Sequence, residues 1–185
     1  MALNVLVICG SLRKGSYNAM VARALPALAP PEMKLKDAPS FGNFPLYNAD
    51  IKDVSGEPPD VVDWAAAIRS ADGVVIVSPE YNWTIPGGLK NAIDWVSRMK
   101  DQPFKDKPVA LQSASPGLLG ASRMQYHLRQ ALVSIDAMMF GKPEIAITFA
   151  DKKMEKGELA DQATKDIIKQ QLAAFAKFIE RVKPR

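Results

Sequence analysis

The chain has 185 residues, 48% of them hydrophobic, so one domain can bury a substantial core without disulfides or structural metals. One cysteine excludes an internal disulfide, and one histidine excludes a zinc site built from several Cys and His ligands. The net charge of +4 favours small anions over nucleic acid as partners, because the basic residues are scattered and accompany no nucleic-acid motif.

No apolar stretch approaches the ~20 residues that a membrane-spanning helix needs. Residues 1–5 lead directly into a strand pattern and lack the basic start of an export signal. We therefore expect no membrane partner, and we expect a cytoplasmic protein whose single thiol stays reduced.

The first apolar run, residues 3–9, predicts a strand, and apolar residues at helical spacing from position 21 to position 28 predict a helix. The stretch between them, GSLRKGSYN at residues 10–18, is therefore a strand-to-helix turn. The N–H groups and the dipole of a helix N-terminus attract an anion, which predicts a phosphate loop. Polar side chains that can add hydrogen bonds are Ser11, Arg13, Ser16 and Asn18. The alternative is an ordinary capped turn.

Three known phosphate motifs are absent from this turn. Glycines at positions 10 and 15 give neither the dinucleotide fingerprint G-x-G-x-x-G nor the P-loop sequence. Cys9 could indicate a phosphatase loop, but Gly15 occupies the position where that loop needs an arginine. We expect Cys9 to pack within the strand.

The next segments alternate between strand and helix patterns. Residues 33–36 alternate like an edge strand, and residues 39–59 form a long loop, either a functional cover or a plain surface loop. A helix starts at Pro59. The run at residues 74–77 is apolar throughout, which is typical of a central strand covered on both faces.

Small and polar residues also follow the third and fourth predicted strands. The sequence SPEYNW follows residue 77 and precedes a helix over residues 89–96. The strand at residues 109–111 is followed by SASPGLLG at residues 113–120 and by a helix with inward residues from 128 to 135. A last strand at residues 145–149, a charged exposed connection and a closing helix complete the chain.

Five strands that alternate with five helices predict a doubly wound parallel α/β sheet with helices on both faces, in one domain over residues 1–185. In such sheets ligands bind at the carboxyl ends of the strands, where the strand order reverses. We therefore expect the loops after the first, third and fourth strands to meet in one cleft.

The motifs in these loops resemble those of the NADPH-dependent FMN reductases, and within that family those of bacterial quinone and chromate reductases. The shared stretches are residues 10–18, PEYN at 79–82, PGGLKNAIDW at 86–95 and YHLRQ at 126–130. The resemblance covers nearly the whole chain. It implies a flavodoxin-like fold with strand order 2-1-3-4-5 and bound FMN.

The resemblance also implies which residues bind FMN. Those expected to hold the phosphate are Ser11, Arg13, Ser16, Tyr17 and Asn18. Those expected to line the isoalloxazine are Pro79, Glu80, Tyr81 and Asn82. Those expected to close its pyrimidine end are Ser113, Ser115 and Gly117. The third loop departs from the family pattern, which has a small polar residue near Ala114 and a double glycine where Gly120 and Ala121 stand.

The implied activity is hydride transfer from NADPH or NADH to FMN, followed by transfer to quinones or to other acceptors such as chromate, other oxidised metals, free flavin, azo or nitro compounds. No catalytic side chain and no metal are expected, because the cofactor carries the chemistry. The alternative is a flavodoxin-like electron carrier or a redox-responsive FMN-binding protein that does not oxidise NAD(P)H. The basic charge of the chain makes that alternative less favourable.

The resemblance further implies a homodimer with flavin clefts near the subunit boundary, and often a tetramer. We expect Arg123, Tyr126 and Glu144 to form a network between dimers. Trp83 and Trp95 are expected to be packing residues. His127 is expected at the surface or in an interface and has no assigned catalytic role.

Overall fold

The computed structural model describes residues 2–183, in which a parallel sheet is covered by helices on both faces. The strands of this sheet are β1 (Leu3–Cys9), β2 (Met33–Asp37), β3 (Gly73–Val77), β4 (Pro108–Ala114), β5 (Met138–Met139) and β6 (Ile145–Ile147). The helices are α1 (Tyr17–Leu28), α2 (Ala49–Ser55), α3 (Pro59–Ser70), α4 (Gly87–Ser97), α5 (Ser122–Val133) and α6 (Gln162–Val182).

The strand order is β2-β1-β3-β4-β5, all parallel, and β6 pairs with the other end of β4. The predicted order 2-1-3-4-5 is therefore confirmed, with the fifth position filled by two short strands. The connection after β1 leads to the next strand on one side of β1, and the connection after β3 leads to the opposite side of the sheet. Their carboxyl ends consequently form the point at which the strand order reverses.

Two hydrophobic cores cover the two faces of the sheet. One core packs α3, α4 and α5 against the sheet and includes Trp64, Trp95 and Phe104. The other packs α1 and α6 against the opposite face and includes Phe175. Every residue of β3 is buried, as expected of a strand between two helical layers.

Several segments differ from the sequence-based expectation. The long loop at residues 39–59 contains α2, and β4 extends to Ala114, so Ser113 lies within a strand. The connection before α6 is not featureless, because it holds a 3-10 turn (Ala150–Lys152) and a hairpin of β7 (Met154–Glu155) and β8 (Glu158–Leu159). Leu159 is buried, which fixes this hairpin against the domain.

Among residues 2–183, no helix combines the length and the hydrophobicity that crossing a membrane would require.

Candidate functional site

The loops after β1, β3 and β4 meet at the carboxyl edge of the sheet and enclose a cavity of about 200 Å³. The residues that line it are Ser11, Arg13, Ser16, Tyr17, Asn18, Pro79, Glu80, Tyr81, Ala114, Ser115 and Pro116. The structure thus brings together most of the residues expected to bind FMN. Asn82, Ser113 and Gly117 are outside this lining, and Ala114 and Pro116 are additions to it.

The loop after β1 is shaped for an anion at the start of α1. Ser16 is the N-cap of α1, and its Oγ accepts a hydrogen bond of 3.2 Å from the backbone N of Asn18. The backbone N of Ser16 donates to the carbonyl of Arg13 at 3.1 Å, which closes the turn. The remaining first-turn N–H groups of a helix have no intrahelical partner and can donate to a ligand.

Gly10 permits this loop to lie close to the end of β3. A Cβ atom at this position would be 2.3 Å from Oγ of Ser78 and 2.7 Å from its Cβ. Because no side chain fits there, glycine at this position keeps the loops after β1 and β3 close together.

Arg13 is exposed at the cavity, with its guanidinium carbon 5.9 Å from the centre of the Tyr17 ring. Within the described part of the chain, no carboxylate forms an ion pair with it. Its charge is consequently available to an anionic ligand.

Asn18 is buried and holds the loop after β1 in place. Its Nδ2 donates to the carbonyl of Ala114 and its Oδ1 accepts from the backbone N of Ala114, both at 2.9 Å. These two bonds tie α1 to the end of β4. The structure therefore assigns the Asn18 carboxamide to this connection, whereas the sequence suggested a donor for phosphate.

The loop after β3 contains a two-residue hairpin at residues 81–84. The backbone N of Tyr81 donates to the carbonyl of Thr84 at 3.1 Å, and the reverse bond is 3.0 Å. The two central residues, Asn82 and Trp83, have φ of 47° and 69° and lie in the left-handed region. Tyr81 connects the hairpin to the first loop, because its hydroxyl lies 3.5 Å from Oγ of Ser11.

Trp83 is 68% exposed at the tip of this hairpin, so the expectation that it packs in the core is wrong. The reason is the turn itself, which directs both central side chains away from the sheet. Trp95 is fully buried in α4, as expected, and its indole N donates to the carbonyl of Pro45 at 2.7 Å.

Glu80 precedes the hairpin and is bound by α5. Its carboxylate accepts hydrogen bonds from Nε of Arg123 at 2.8 Å and from the backbone N of Met124 at 3.2 Å. His127 contacts the same segment, with Nδ1 2.9 Å from Oγ1 of Thr84. The sequence did not predict these contacts of Arg123 and His127. The one signal for them was the spacing of four residues, which places both side chains on one helix face where they can share a neighbour.

The loop after β4 is held mainly by its own hydrogen bonds. Ser113 is buried, and its hydroxyl donates to the carbonyl of Gly120 at 2.6 Å and accepts from Nε2 of Gln125 at 2.8 Å. The structure therefore does not bring the Ser113 side chain to the cavity. The backbone N of Gly117 donates to Oγ of Ser115 at 3.1 Å, so Gly117 shapes the loop beside Ser115.

Gly120 and Ala121 both have positive φ, of 55° and 66°. A Cβ at Gly120 would be 2.7 Å from the backbone carbon of Ala146, so only glycine fits there. Ala121 is the N-cap of α5 in the same left-handed region, where the family pattern has a second glycine. The departure from that pattern thus leaves a strained alanine beside the cleft.

The Cys9 thiol lies under the first loop and donates a weak hydrogen bond to the carbonyl of Ser11 at 3.6 Å. Burial raises the pKa of this thiol, so the neutral form is favoured at neutral pH. Cys9 is therefore a packing residue of β1 and lacks the thiolate character of a nucleophile. Among residues 2–183, no group of three or more His, Cys, Asp and Glu side chains could hold a metal ion.

The cleft can bind a molecule that carries a phosphate at one end and a planar ring at the other. The capped start of α1 and the Arg13 guanidinium provide donors and positive charge at the first end. The hairpin with Tyr81 and Trp83 provides aromatic surface and backbone at the other. The residues present therefore fit FMN.

Comparisons with known proteins identify the family of the chain. A sequence model described as NADPH-dependent FMN reductase matches residues 3–152. A quinone reductase of Escherichia coli (strain K12) is 52% identical over 183 residues, which cover 98% of this chain and 97% of that protein. An NAD(P)H-dependent FMN reductase of Pseudomonas aeruginosa is 43% identical over 182 residues, which cover 98% of this chain and 97% of that protein.

A solved structure also matches over the whole fold. FerB, a flavoenzyme NAD(P)H:(acceptor) oxidoreductase from Paracoccus denitrificans, has a TM-score of 0.87 and 32% identity, covering 97% of this chain and 98% of FerB. Together these matches confirm the flavodoxin-like fold, the oxidoreductase class and the pairing of FMN with NAD(P)H. The chain belongs to the NADPH-dependent FMN reductase family.

Proposed function

We propose that this protein uses FMN in the cleft described above to pass a hydride from NADPH or NADH to quinones and related acceptors. The observation that carries the proposal is the meeting of an anion-binding loop and an aromatic hairpin at the point where the strand order reverses. When bound, FMN supplies the chemistry by accepting a hydride at its ring and reducing the acceptor in turn.

The phosphate end of the cofactor is assigned to the loop after β1. Three residues that carry hydroxyl groups line the cavity, namely Ser11, Ser16 and Tyr17. Arg13 adds a positive charge that no carboxylate of the described residues neutralises. Asn18 acts indirectly, since its bonds to Ala114 hold this loop against β4.

The ring end is assigned to the loops after β3 and β4. Pro79, Glu80 and Tyr81 line the cavity, and Asn82 stands beside it at the tip of the hairpin. From the other side, Ser115 faces the cavity, while Ser113 and Gly117 shape the loop behind it. We propose that residues 2–183 act as one FMN-binding unit of this kind.

The side chains in the cleft orient the reactants and perform no proton transfer of their own in this proposal. Tyr81 and Trp83 are 48% and 68% exposed, so the ring end of the cleft is open on one side to a second planar molecule. A nicotinamide and a quinone could each stack there in turn, and proximity would supply much of the acceleration. This arrangement predicts ping-pong kinetics.

The direct test is to mix the FMN-loaded protein with NADPH or NADH without oxygen. We expect the yellow colour to bleach at a catalytic rate and to return when a quinone is added. Steady-state double-reciprocal plots should give parallel lines. An electron carrier, the alternative function, would not bleach at a catalytic rate, and intersecting lines with a demonstrated ternary complex would contradict the shared site.

We further propose a homo-oligomer, a dimer that can pair into a tetramer. Exposed apolar side chains near the cleft support this, since Trp83, Leu118 and Tyr126 are 68%, 70% and 58% exposed. The expected network of Arg123, Tyr126 and Glu144 between dimers would have to include two ion pairs within each chain, since Arg123 pairs with Glu80 and Arg129 pairs with Glu144. We assign the protein to the cytoplasm, where NAD(P)H is supplied and a lone thiol such as Cys9 remains reduced.

A further inference from the structure

The start of α5 contacts the cleft hairpin through two side chains that lie one turn apart. Arg123 binds Glu80, with Nη2 2.6 Å from Oε1, and His127 Nδ1 lies 2.9 Å from Oγ1 of Thr84. Residues four apart share a helix face. One face of α5 therefore contacts both ends of the segment that lines the ring end of the cleft.

The hairpin between these two contacts is strained. Asn82 and Trp83 both have positive φ, and a bulky residue such as tryptophan rarely adopts this region. The Arg123 guanidinium also lies over the Trp83 ring, with Cζ 4.1 Å from the ring centre. Because a strained turn persists only when its surroundings determine it, the contacts from α5 add to the two backbone hydrogen bonds of the turn in keeping its shape.

Glu80 is a lining residue of the same cleft, and its carboxylate is bound by the start of α5. Only 9% of its side chain is exposed, and it lines the cavity with Tyr81. Arg123 supplies the opposite charge at hydrogen-bonding distance, and the backbone N of Met124 donates to the second carboxylate oxygen. Without the arginine, the carboxylate would keep only the Met124 N–H, and its negative charge, no longer paired with a cation, would oppose added negative charge on a bound ring.

We propose that Arg123 is a positioning residue that neutralises Glu80 and holds the hairpin, and that it thereby raises the reduction potential of the bound flavin and strengthens its binding. The inference rests on the proposed function, since it takes this cleft to be the FMN site. It has two separable parts: charge affects the potential, and the geometry of the guanidinium affects affinity. Lysine would keep the charge but lose the planar fork and the stacking on Trp83.

The test compares the wild type and its variants by two measurements. The midpoint potential of the FMN-loaded protein is measured by chemical reduction, and the FMN dissociation constant is measured alongside it. Arg123→Ala should give a more negative potential and about tenfold weaker FMN binding, equivalent to ~1.4 kcal/mol. Arg123→Lys should restore the potential while binding remains weaker than in the wild type. The double variant Arg123→Ala with Glu80→Gln should also return the potential toward the wild-type value.

Arg129→Ala is the matched control, because it removes another arginine–carboxylate pair of α5, and the partners of Arg129, Phe140 and Glu144, are not part of the hairpin. It should leave the potential unchanged. If Arg123→Ala does not fold, Glu80→Gln alone tests the charge effect and should make the potential more positive. An unchanged potential in Arg123→Ala, or a double variant as negative as Arg123→Ala, would overturn the proposal.

The two proposals fail in different ways. A wild-type protein that binds FMN but is not reduced by NADPH or NADH would contradict the proposed function. The potentials of the variants would still be measurable, because the reductant in that experiment is a chemical one. If NADPH or NADH reduces the wild type but the potentials of the variants do not change as expected, only the role of Arg123 is refuted.

Discussion

At the residue scale, the cleft contains side chains that face a ligand and side chains that hold the loops. Arg13 is exposed at the cavity, whereas Asn18 and Ser113 are buried and satisfied by bonds within the chain. All three looked alike in the sequence, because a polar residue at the end of a strand can face either the cleft or the core. Their separate roles depend on contacts with Ala114 and Gln125, which are distant in the chain.

Replacing Arg13 by alanine tests the phosphate end of the cleft. The change should remove a charge-assisted contact worth roughly 1.5–3 kcal/mol, which corresponds to ~10–150-fold weaker FMN binding. Fluorescence titration of the apoprotein with FMN measures this. Lys14→Ala is the control, since Lys14 is a neighbouring exposed cation outside the cavity lining. If both variants keep wild-type affinity, Arg13 does not contact the phosphate.

Replacing Ala121 by glycine tests the strain in the third loop. The left-handed conformation costs alanine about 1–2 kcal/mol, while glycine loses about 0.5–1 kcal/mol more backbone entropy on folding. We therefore expect Ala121→Gly to raise the free energy of unfolding by ~0.5–1 kcal/mol in urea denaturation. Ala131→Gly inside α5 is the control and should lower it by about the same amount. A destabilised Ala121→Gly variant would show that the alanine is unstrained.

At the scale of elements, long segments with a strong pattern were predictable and short ones were not. The apolar run of β3 and the helical spacing of α3 and α4 follow from local sequence alone, and the structure places them there. The fifth strand is divided into two pieces that pair with opposite ends of β4. That division depends on tertiary pairing, and two-residue strands carry no periodicity that a sequence can show.

The contacts between elements were the least predictable part of the site. The motifs correctly indicated three loops at one edge of the sheet, because parallel strands place their carboxyl ends together. The contact of Arg123 with Glu80 joins positions 43 apart, and no local pattern indicates it. The Arg123 guanidinium also lies over the Trp83 ring, and this contact too joins segments that are far apart in the chain, so the surroundings of Trp83 could not be inferred from local sequence.

The N-cap of α6 gives a prediction at this scale. Hydrogen bonds from the hydroxyl and backbone N of Thr164 lower the pKa of Asp161 below its ordinary value of 3.8. Because the folded-state pKa is depressed, the stabilisation is present above pH 3.8 and is lost as the pH falls through the folded-state value. Asp161→Ala should cost about 1 kcal/mol of unfolding free energy at neutral pH.

Urea denaturation at several pH values measures this effect. The difference between the wild type and Asp161→Ala should shrink as the carboxylate is protonated. Asp161→Asn is the control, since asparagine caps a helix about as well and does not titrate. A difference that stays constant from neutral to acidic pH would show that the capping carboxylate is not the titrating group.

At the scale of the whole molecule, the exposed apolar side chains around the cleft predict self-association. Sedimentation of the wild type at micromolar concentration should show a dimer or a tetramer. Tyr126→Glu introduces a charge on the exposed face of α5 and should shift the protein toward smaller species. Val62→Glu, on an exposed position of α3, is the control and should sediment like the wild type. A wild type that is monomeric throughout this range would refute the oligomer.

The bonds between Asn18 and Ala114 have a consequence for biosynthesis. The loop at residues 10–18 is synthesised well before its support, since Ala114 lies 96 residues after Asn18 in the chain. Until β4 has joined the sheet, the loop at residues 10–18 lacks the wall against which it is held. We therefore expect flavin loading to follow the formation of the sheet rather than to guide it.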